Sequence, residues 1–146
     1  METSKKNLKT ASIIVLIFAA LSLIRIIVNT CTTDFKAAAI EAGVNESLGM
    51  VTAILTCAIS IVLLLPQIYV GVKGMKFAEN PDGSKAHIVW AIILTVCTVI
   101  GLFSTISGMV KSGDYVYNIF VLVDGVVDIA LYFLYIKYAK QVAAQA

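Results

Sequence analysis

The chain has 146 residues, of which 60% are hydrophobic and 14% charged, with a formal net charge of +2. A soluble domain is typically about 45–50% apolar and about 25% charged, and a soluble chain of this length buries only about two-thirds of its unfolded surface. The composition therefore excludes an ordinary soluble globule. It predicts an all-α domain over residues 1–146 with the lipid bilayer as its solvent, and no nucleic-acid partner is expected.

The first of four apolar stretches runs over residues 10–30, which is close to the 20 or so residues that a helix needs to cross a bilayer. The basic segment before it also suits the start of a signal peptide. No small-x-small cleavage site follows the apolar run, however. We therefore predict a retained span, with a cleaved signal peptide as the alternative.

The loop over residues 31–47 is predicted to contain a short helix that lies on the membrane surface. Thr33 or Asp34 is placed to cap this helix, and Gly43 is placed to end it. Asn45 begins an N-x-S glycosylation pattern, but it also stands where an N-cap of the second span is needed. We favour the cap.

The second span is predicted over residues 48–71 and contains Pro66. A proline removes one backbone N–H and leaves a carbonyl one turn earlier without its partner, so Pro66 predicts a helix kink. The side chain of Gln67 is placed to satisfy the freed carbonyl.

Two further spans complete the chain. Residues 72–85 are predicted to form a loop, with a turn at residues 80–83 and Ser84 as a cap. The third span follows over residues 86–110 and the fourth over residues 116–138. The fold class is therefore a polytopic bundle of four transmembrane helices.

Lysines are distributed unevenly between the loops. Eight precede the first span, lie between the second and third, or end the fourth: Lys5, Lys6, Lys9, Lys73, Lys76, Lys85, Lys137 and Lys140. The other two loops hold only Lys36 and Lys111. The positive-inside rule therefore predicts a multi-pass protein of the cell membrane with both termini in the cytoplasm.

Aromatic rings gather at the same lysine-rich level. They are Tyr69 on the second span, His87 and Trp90 on the third, and Tyr132, Tyr135 and Tyr138 on the fourth. Amphipathic rings at this depth are typical of interface anchors, and that is the interpretation we adopt.

Small and weakly polar residues recur on one face of each span. On the second span they are Gly49, Thr52, Thr56, Ser60, Gln67, Gly71 and Gly74, and on the third His87, Ala91, Thr98, Gly101, Thr105 and Gly108. Such faces allow helices to approach closely, so most of these positions are expected to serve packing.

Three charged groups lie well inside the spans, away from their ends. Arg25 is in the first, and Asp124 and Asp128 are in the fourth. Such a group costs roughly 3 kcal/mol at the bilayer centre, and it usually faces the bundle interior and pairs. At 1.5 Å per residue, Arg25 and Asp124 lie about 7 and 12 Å from the same membrane surface, so they are predicted to meet. Asp128 is one turn deeper and has no evident cation partner.

The resulting hypothesis is an intramembrane polar cluster. Its predicted members are Arg25, Asp124, Asp128, Asn118, Thr52, Thr56 and Gln67. The alternative is an ion pair that only fixes the register of the helices.

Neither a metal site nor a cofactor is predicted. The three cysteines, Cys31, Cys57 and Cys97, are widely spaced, and His87 is the single histidine. No nucleophile and base occur at catalytic spacing. Because the two aspartates of the fourth span have no second carboxylate on another span, we do not expect an enzyme.

The segment 63-LLLPQIYVGVKGMK-76 resembles the PQ-loop family, which includes the half-size bacterial sugar transporters called SemiSWEETs. The Pro66-Gln67 pair, the lysines that follow it and the two later spans match the family's order over residues 60–138. The family has three spans per unit, whereas here an additional span precedes them. The pocket tryptophan of the family's middle span is also missing. The resemblance implies a small transporter.

Two functions remain open. The first is a transporter of a small solute or ion, whose polar cluster lines a water-accessible cavity. It would work as a homodimer, since four spans enclose little space. The second is a non-catalytic accessory, immunity or assembly protein that binds a larger membrane partner through its lipid-facing side.

Overall fold

A computed structural model describes residues 2–41, 43–81, 83–113 and 115–145. Over these ranges the chain forms five helices and no strand: α1 (Glu2–Thr32), α2 (Phe35–Glu41), α3 (Glu46–Glu79), α4 (Ala86–Ser112) and α5 (Tyr115–Ala144). Four of them, α1, α3, α4 and α5, are long and apolar enough to cross a membrane. The predicted all-α class with four spanning helices is confirmed.

The helices are longer than the predicted spans. α1 begins at Glu2 and α3 continues to Glu79. The prediction of a loop over residues 72–85 was therefore wrong for its first half. The reason is that a predicted span covers only the residues that cross the hydrocarbon layer, whereas a helix can continue beyond that layer. Phe77 and Ala78 are buried, and this packing keeps the last turns of α3 helical.

The short helix of the first loop and its caps are confirmed. The Asp34 carboxylate accepts hydrogen bonds from two backbone N–H groups in the first turn of α2, at 3.1 and 3.2 Å. Gly43 follows the helix with a φ of 68°, a left-handed conformation that glycine adopts without strain. At the start of α3, Asn45 Oδ1 accepts a hydrogen bond from the Leu48 N–H at 2.8 Å.

The ends of α4 are also fixed by local chemistry. The N-cap position is Lys85, so Ser84 stands one residue before it. The Ser84 hydroxyl still accepts a hydrogen bond from the Ala86 N–H, at 3.3 Å. At the other end, Gly113 has a φ of 71° and donates its N–H to the Met109 carbonyl, at 3.0 Å.

The chain divides into two compact units. The terminal unit comprises residues 1–16 and 66–146, and so contains the first part of α1, the last part of α3, and all of α4 and α5. The central unit comprises residues 17–65, with α2 and the remaining parts of α1 and α3.

The core of the terminal unit lies where four lysine-bearing helix ends meet. Its buried side chains come from all four long helices and include Leu8, Ala11, Ser12, Val15, Gln67, Val70, Phe77, His87, Ala91, Tyr135, Ala139 and Val142. Elsewhere large apolar side chains are exposed on every long helix, as expected for surfaces that face lipid.

Candidate functional site

Two glycines of α3 set the packing of the terminal unit. A Cβ atom on Gly71 would lie 2.6 Å from Leu16 Cγ. A Cβ atom on Gly74 would lie 2.5 Å from the Tyr135 hydroxyl and would also collide with the Ser12 hydroxyl. A side chain at either position would force its neighbours to shift, and the absence of one lets α3 approach α1 and α5.

A buried polar network lies beside Gly74. The Tyr135 hydroxyl donates a hydrogen bond to the Val70 carbonyl at 3.0 Å and lies 2.7 Å from His87 Nδ1. The ring centroids of His87 and Phe77 are 4.7 Å apart. A hydroxyl has one proton, so when Tyr135 donates it to Val70, His87 Nδ1 is the donor to the Tyr135 oxygen. His87 Nε2 is then a buried acceptor that has no partner among the described residues.

The interpretation of the aromatic residues as interface anchors was wrong for His87, Tyr132 and Tyr135, which are all buried. The space left by Gly74 admits the ring of Tyr135 to the core. The sequence held one signal for this outcome, since His87 shares its face with the small residue Ala91. Trp90 is 41% exposed, as an interface anchor must be.

The lysine-bearing helix ends belong to one packed unit. Lys9 Nζ lies 2.7 Å from Glu79 Oε1, which ties the start of α1 to the end of α3. This hydrogen bond, with the charge of Lys9, lowers the pKa of the Glu79 carboxyl, which lies beyond the predicted span 48–71. The orientation prediction requires these four ends to share one side of the membrane. That this side is the cytoplasm stays a prediction.

The residues of the predicted polar cluster are divided between the two units. Arg25, Thr52 and Thr56 belong to the central unit, and Gln67, Asn118, Asp124 and Asp128 belong to the terminal unit. The pairing of Arg25 with Asp124 stays a prediction, as does the cluster as a whole. The side chain of Asn118 lies outside the described residues.

Within the terminal unit, Gln67 is buried and its Nε2 lies 3.5 Å from the Val15 carbonyl. It therefore points to α1 and does not satisfy a carbonyl freed by Pro66, which corrects the role we predicted for it. Helix α3 runs continuously through Pro66, and the predicted kink stays a prediction.

The two aspartates of α5 have different surroundings. Asp124 is exposed, whereas Asp128 is half-buried. Between them, Gly125 packs against α4, because a Cβ atom there would lie 2.5 Å from Leu102 Cδ2. One turn after Asp128, the ring of Tyr132 is buried. Asp128 is thus held near a close contact of α4 with α5.

The central unit contains an open cavity of about 310 Å³. Its lining comes from the end of α1, from the residue that follows it, and from α3: Ile26, Asn29, Thr30, Thr33, Ala53, Thr56, Cys57 and Ser60. Each of its four hydroxyl groups donates a hydrogen bond to the carbonyl four residues earlier, at 2.7–2.9 Å. The hydroxyl oxygens can therefore accept hydrogen bonds from a molecule in the cavity.

This cavity overlaps only partly with the predicted cluster. Thr56 lines it, whereas Thr52, one turn earlier, makes the same type of backbone hydrogen bond without being part of the lining. Thr56 and Ser60 were predicted to share one helical face of α3. Thr30 and Thr33 were not predicted, because the pairing of α1 with α3 cannot be read from either helix alone.

The chain matches no protein-family model, no curated protein and no solved structure. The class of protein is therefore inferred from the helices of this chain alone. Four long apolar helices make it a multi-pass α-helical membrane protein.

Proposed function

We propose that this protein transports a small, uncharged polar solute across the membrane, with the cavity of the central unit as the binding site. The observation that carries the proposal is the lining of that cavity. The hydroxyl-bearing residues Thr30, Thr33, Thr56 and Ser60 and the amide-bearing residue Asn29 line an open space between apolar stretches of α1 and α3. Threonine and serine also occur at helix contacts in membranes, but here they surround a space instead of filling one.

The chemistry of the lining indicates the class of solute. None of the lining side chains is charged, so a bound ion would gain no opposite charge to replace its hydration shell. A solute with hydroxyl or amide groups can donate hydrogen bonds to the four hydroxyl oxygens and pair with Asn29. The volume of about 310 Å³ lies at the lower end of the usual range for ligand sites, roughly 300–1,000 Å³.

Osmotic swelling of proteoliposomes tests this function. The purified chain is reconstituted, the vesicles are mixed with glycerol, urea or a monosaccharide, and swelling is followed by light scattering. The proposal predicts faster entry of at least one of these solutes than in protein-free vesicles. Thr56→Val removes one hydrogen-bonding group of about 1 kcal/mol, and should change the rate of that solute on the order of fivefold.

Thr52→Val is the matched control, because Thr52 makes the same backbone hydrogen bond one turn outside the lining. It should leave the rate within about twofold of the wild type, since it removes no group from the cavity. Equal effects of the two variants, or rates no faster than in protein-free vesicles for all three solutes, would contradict the proposal.

The second candidate function is an accessory or assembly protein that binds a larger membrane partner. One observation favours it: a Cβ atom at Gly101 of α4 would meet nothing within 4 Å, so another helix can approach α4 closely at this position. Gly101→Leu would then reduce the size of the native complex on a blue-native gel while leaving solute entry unchanged. Reduced solute entry with an unchanged complex would instead favour the transporter.

A further inference from the structure

A second cavity lies at the lysine-rich end of the terminal unit. It is open and has a volume of about 210 Å³. The end of α3 and the segment before α4 line it, through Lys73, Lys76, Phe77, Asn80, Gly83 and Ser84.

The two lysines give this cavity a positive charge. Among the described residues, neither Lys73 nor Lys76 has a carboxylate within salt-bridge distance, and the nearby carboxylate of Glu79 is bound to Lys9. The hydroxyl oxygen of Ser84 accepts the hydrogen bond from Ala86, so its own proton is left to be donated. Two ammonium groups and a hydroxyl donor suit the oxygens of a phosphate group.

The surroundings indicate that this phosphate belongs to a lipid. Lys73 Nζ lies 6.0 Å from the centre of the Tyr69 ring, and a tyrosine at the end of a span is typical of the headgroup layer. Ile68 of α3 and Val89 of α4 are exposed apolar side chains near the same helix ends, and acyl chains of a bound lipid can contact them. A free phosphate ion would contact the charged groups of the cavity but would leave the apolar side chains without a ligand.

We propose that the cavity lined by Lys73, Lys76 and Ser84 binds the phosphate headgroup of an anionic phospholipid. The site is independent of the proposed transport function, since its residues belong to the terminal unit and the solute cavity belongs to the central unit. A bound lipid would connect the end of α3 to the segment before α4.

Thermal unfolding in a neutral detergent tests the site. The full chain is titrated with short-chain phosphatidylglycerol, with short-chain phosphatidylcholine, and with inorganic phosphate. A ligand that binds only the folded protein stabilises it by RT ln(1 + [L]/Kd), so the rise in Tm across a titration reports the Kd. Phosphatidylglycerol should raise the Tm more than either of the other two ligands.

The double variant Lys73→Gln/Lys76→Gln should weaken the apparent affinity for phosphatidylglycerol on the order of 30-fold, since each lysine near an anionic lipid contributes about 1 kcal/mol. The matched control is Lys137→Gln/Lys140→Gln, which removes the same charge from the last turns of α5 outside the cavity. It should keep the wild-type affinity to within about threefold.

Three results would overturn the proposal. Equal weakening of phosphatidylglycerol binding in the two double variants would show that the affinity depends only on net charge. Equal stabilisation by phosphatidylcholine would show that the acyl chains alone are bound. Equal stabilisation by inorganic phosphate would assign the cavity to a soluble anion instead of a lipid.

Discussion

At the scale of single residues, Gly74 controls how closely α3 packs against α1 and α5. Gly74→Ala would place a methyl group against the hydroxyls of Ser12 and Tyr135, so we expect a loss of about 1–3 kcal/mol in the free energy of unfolding. The corresponding fall in Tm in detergent, roughly 2–12 °C, can be followed by scanning fluorimetry or circular dichroism.

Gly101→Ala is the control for that change, because a Cβ atom at Gly101 meets nothing within 4 Å. Alanine has a higher helix propensity than glycine by about 1 kcal/mol, so this variant should keep or raise the Tm. The interpretation of Gly74 fails if both variants shift the Tm in the same direction by the same amount.

The hydroxyl of Tyr135 is the second residue-scale feature. Tyr135→Phe removes the donor to Val70 and the acceptor for His87. It leaves both buried groups without that partner, so we expect a loss of about 1–3 kcal/mol in the free energy of unfolding.

A double-mutant cycle separates this effect from packing. His87→Phe combined with Tyr135→Phe removes both polar partners, so the double variant should lose clearly less than the sum of the single variants. Additive losses would show that His87 and Tyr135 do not interact as described. Tyr138→Phe, outside the network, is the control for the loss of a hydroxyl.

At the scale of helices, caps and helix ends could be predicted from the sequence, because they depend on local hydrogen bonds. Such bonds join residues two or three positions apart, and they explain the caps at Asp34 and Asn45 and the end of α2 at Gly43. The prediction failed for the burial of side chains, which depends on contacts between distant segments. His87 was expected at the interface, but it is buried by Phe77 and Tyr135, ten and 48 positions away in the chain.

The cap of α3 can be tested on its own. Asn45→Ala removes the acceptor of the Leu48 N–H and should destabilise the start of the helix by about 0.5–2 kcal/mol. Hydrogen exchange followed by mass spectrometry should show faster exchange in the first turn of α3, with no change in the buried part near Val70. Unchanged exchange in the first turn would show that Asn45 is not the cap.

At the scale of the whole molecule, the number of spans could be predicted because four runs of apolar residues report directly on hydrocarbon thickness. The polar cluster could not be settled in the same way. Arg25 and Asp124 were matched by depth alone, and depth does not specify which faces meet. The cavity that carries the proposed function depends on the pairing of α1 with α3, to which Thr30 and Ser60 both contribute.

The central claim is that the cavity of the central unit holds water in the membrane. Cys57 lines this cavity, and Cys97 is an exposed residue of α4 within a predicted span. Two single-cysteine chains, made with serine at the other two cysteine positions, can be treated in vesicles with a charged, membrane-impermeant maleimide. Denaturation in SDS then confirms that each thiol is able to react.

The proposed transporter predicts that Cys57 is modified in the intact membrane and that Cys97 is not. A thiol reacts through its thiolate, which forms in water and not in hydrocarbon. Protection of Cys57 to the same degree as Cys97, with full reaction of both in SDS, would show that the cavity is filled by lipid or protein and would contradict the account.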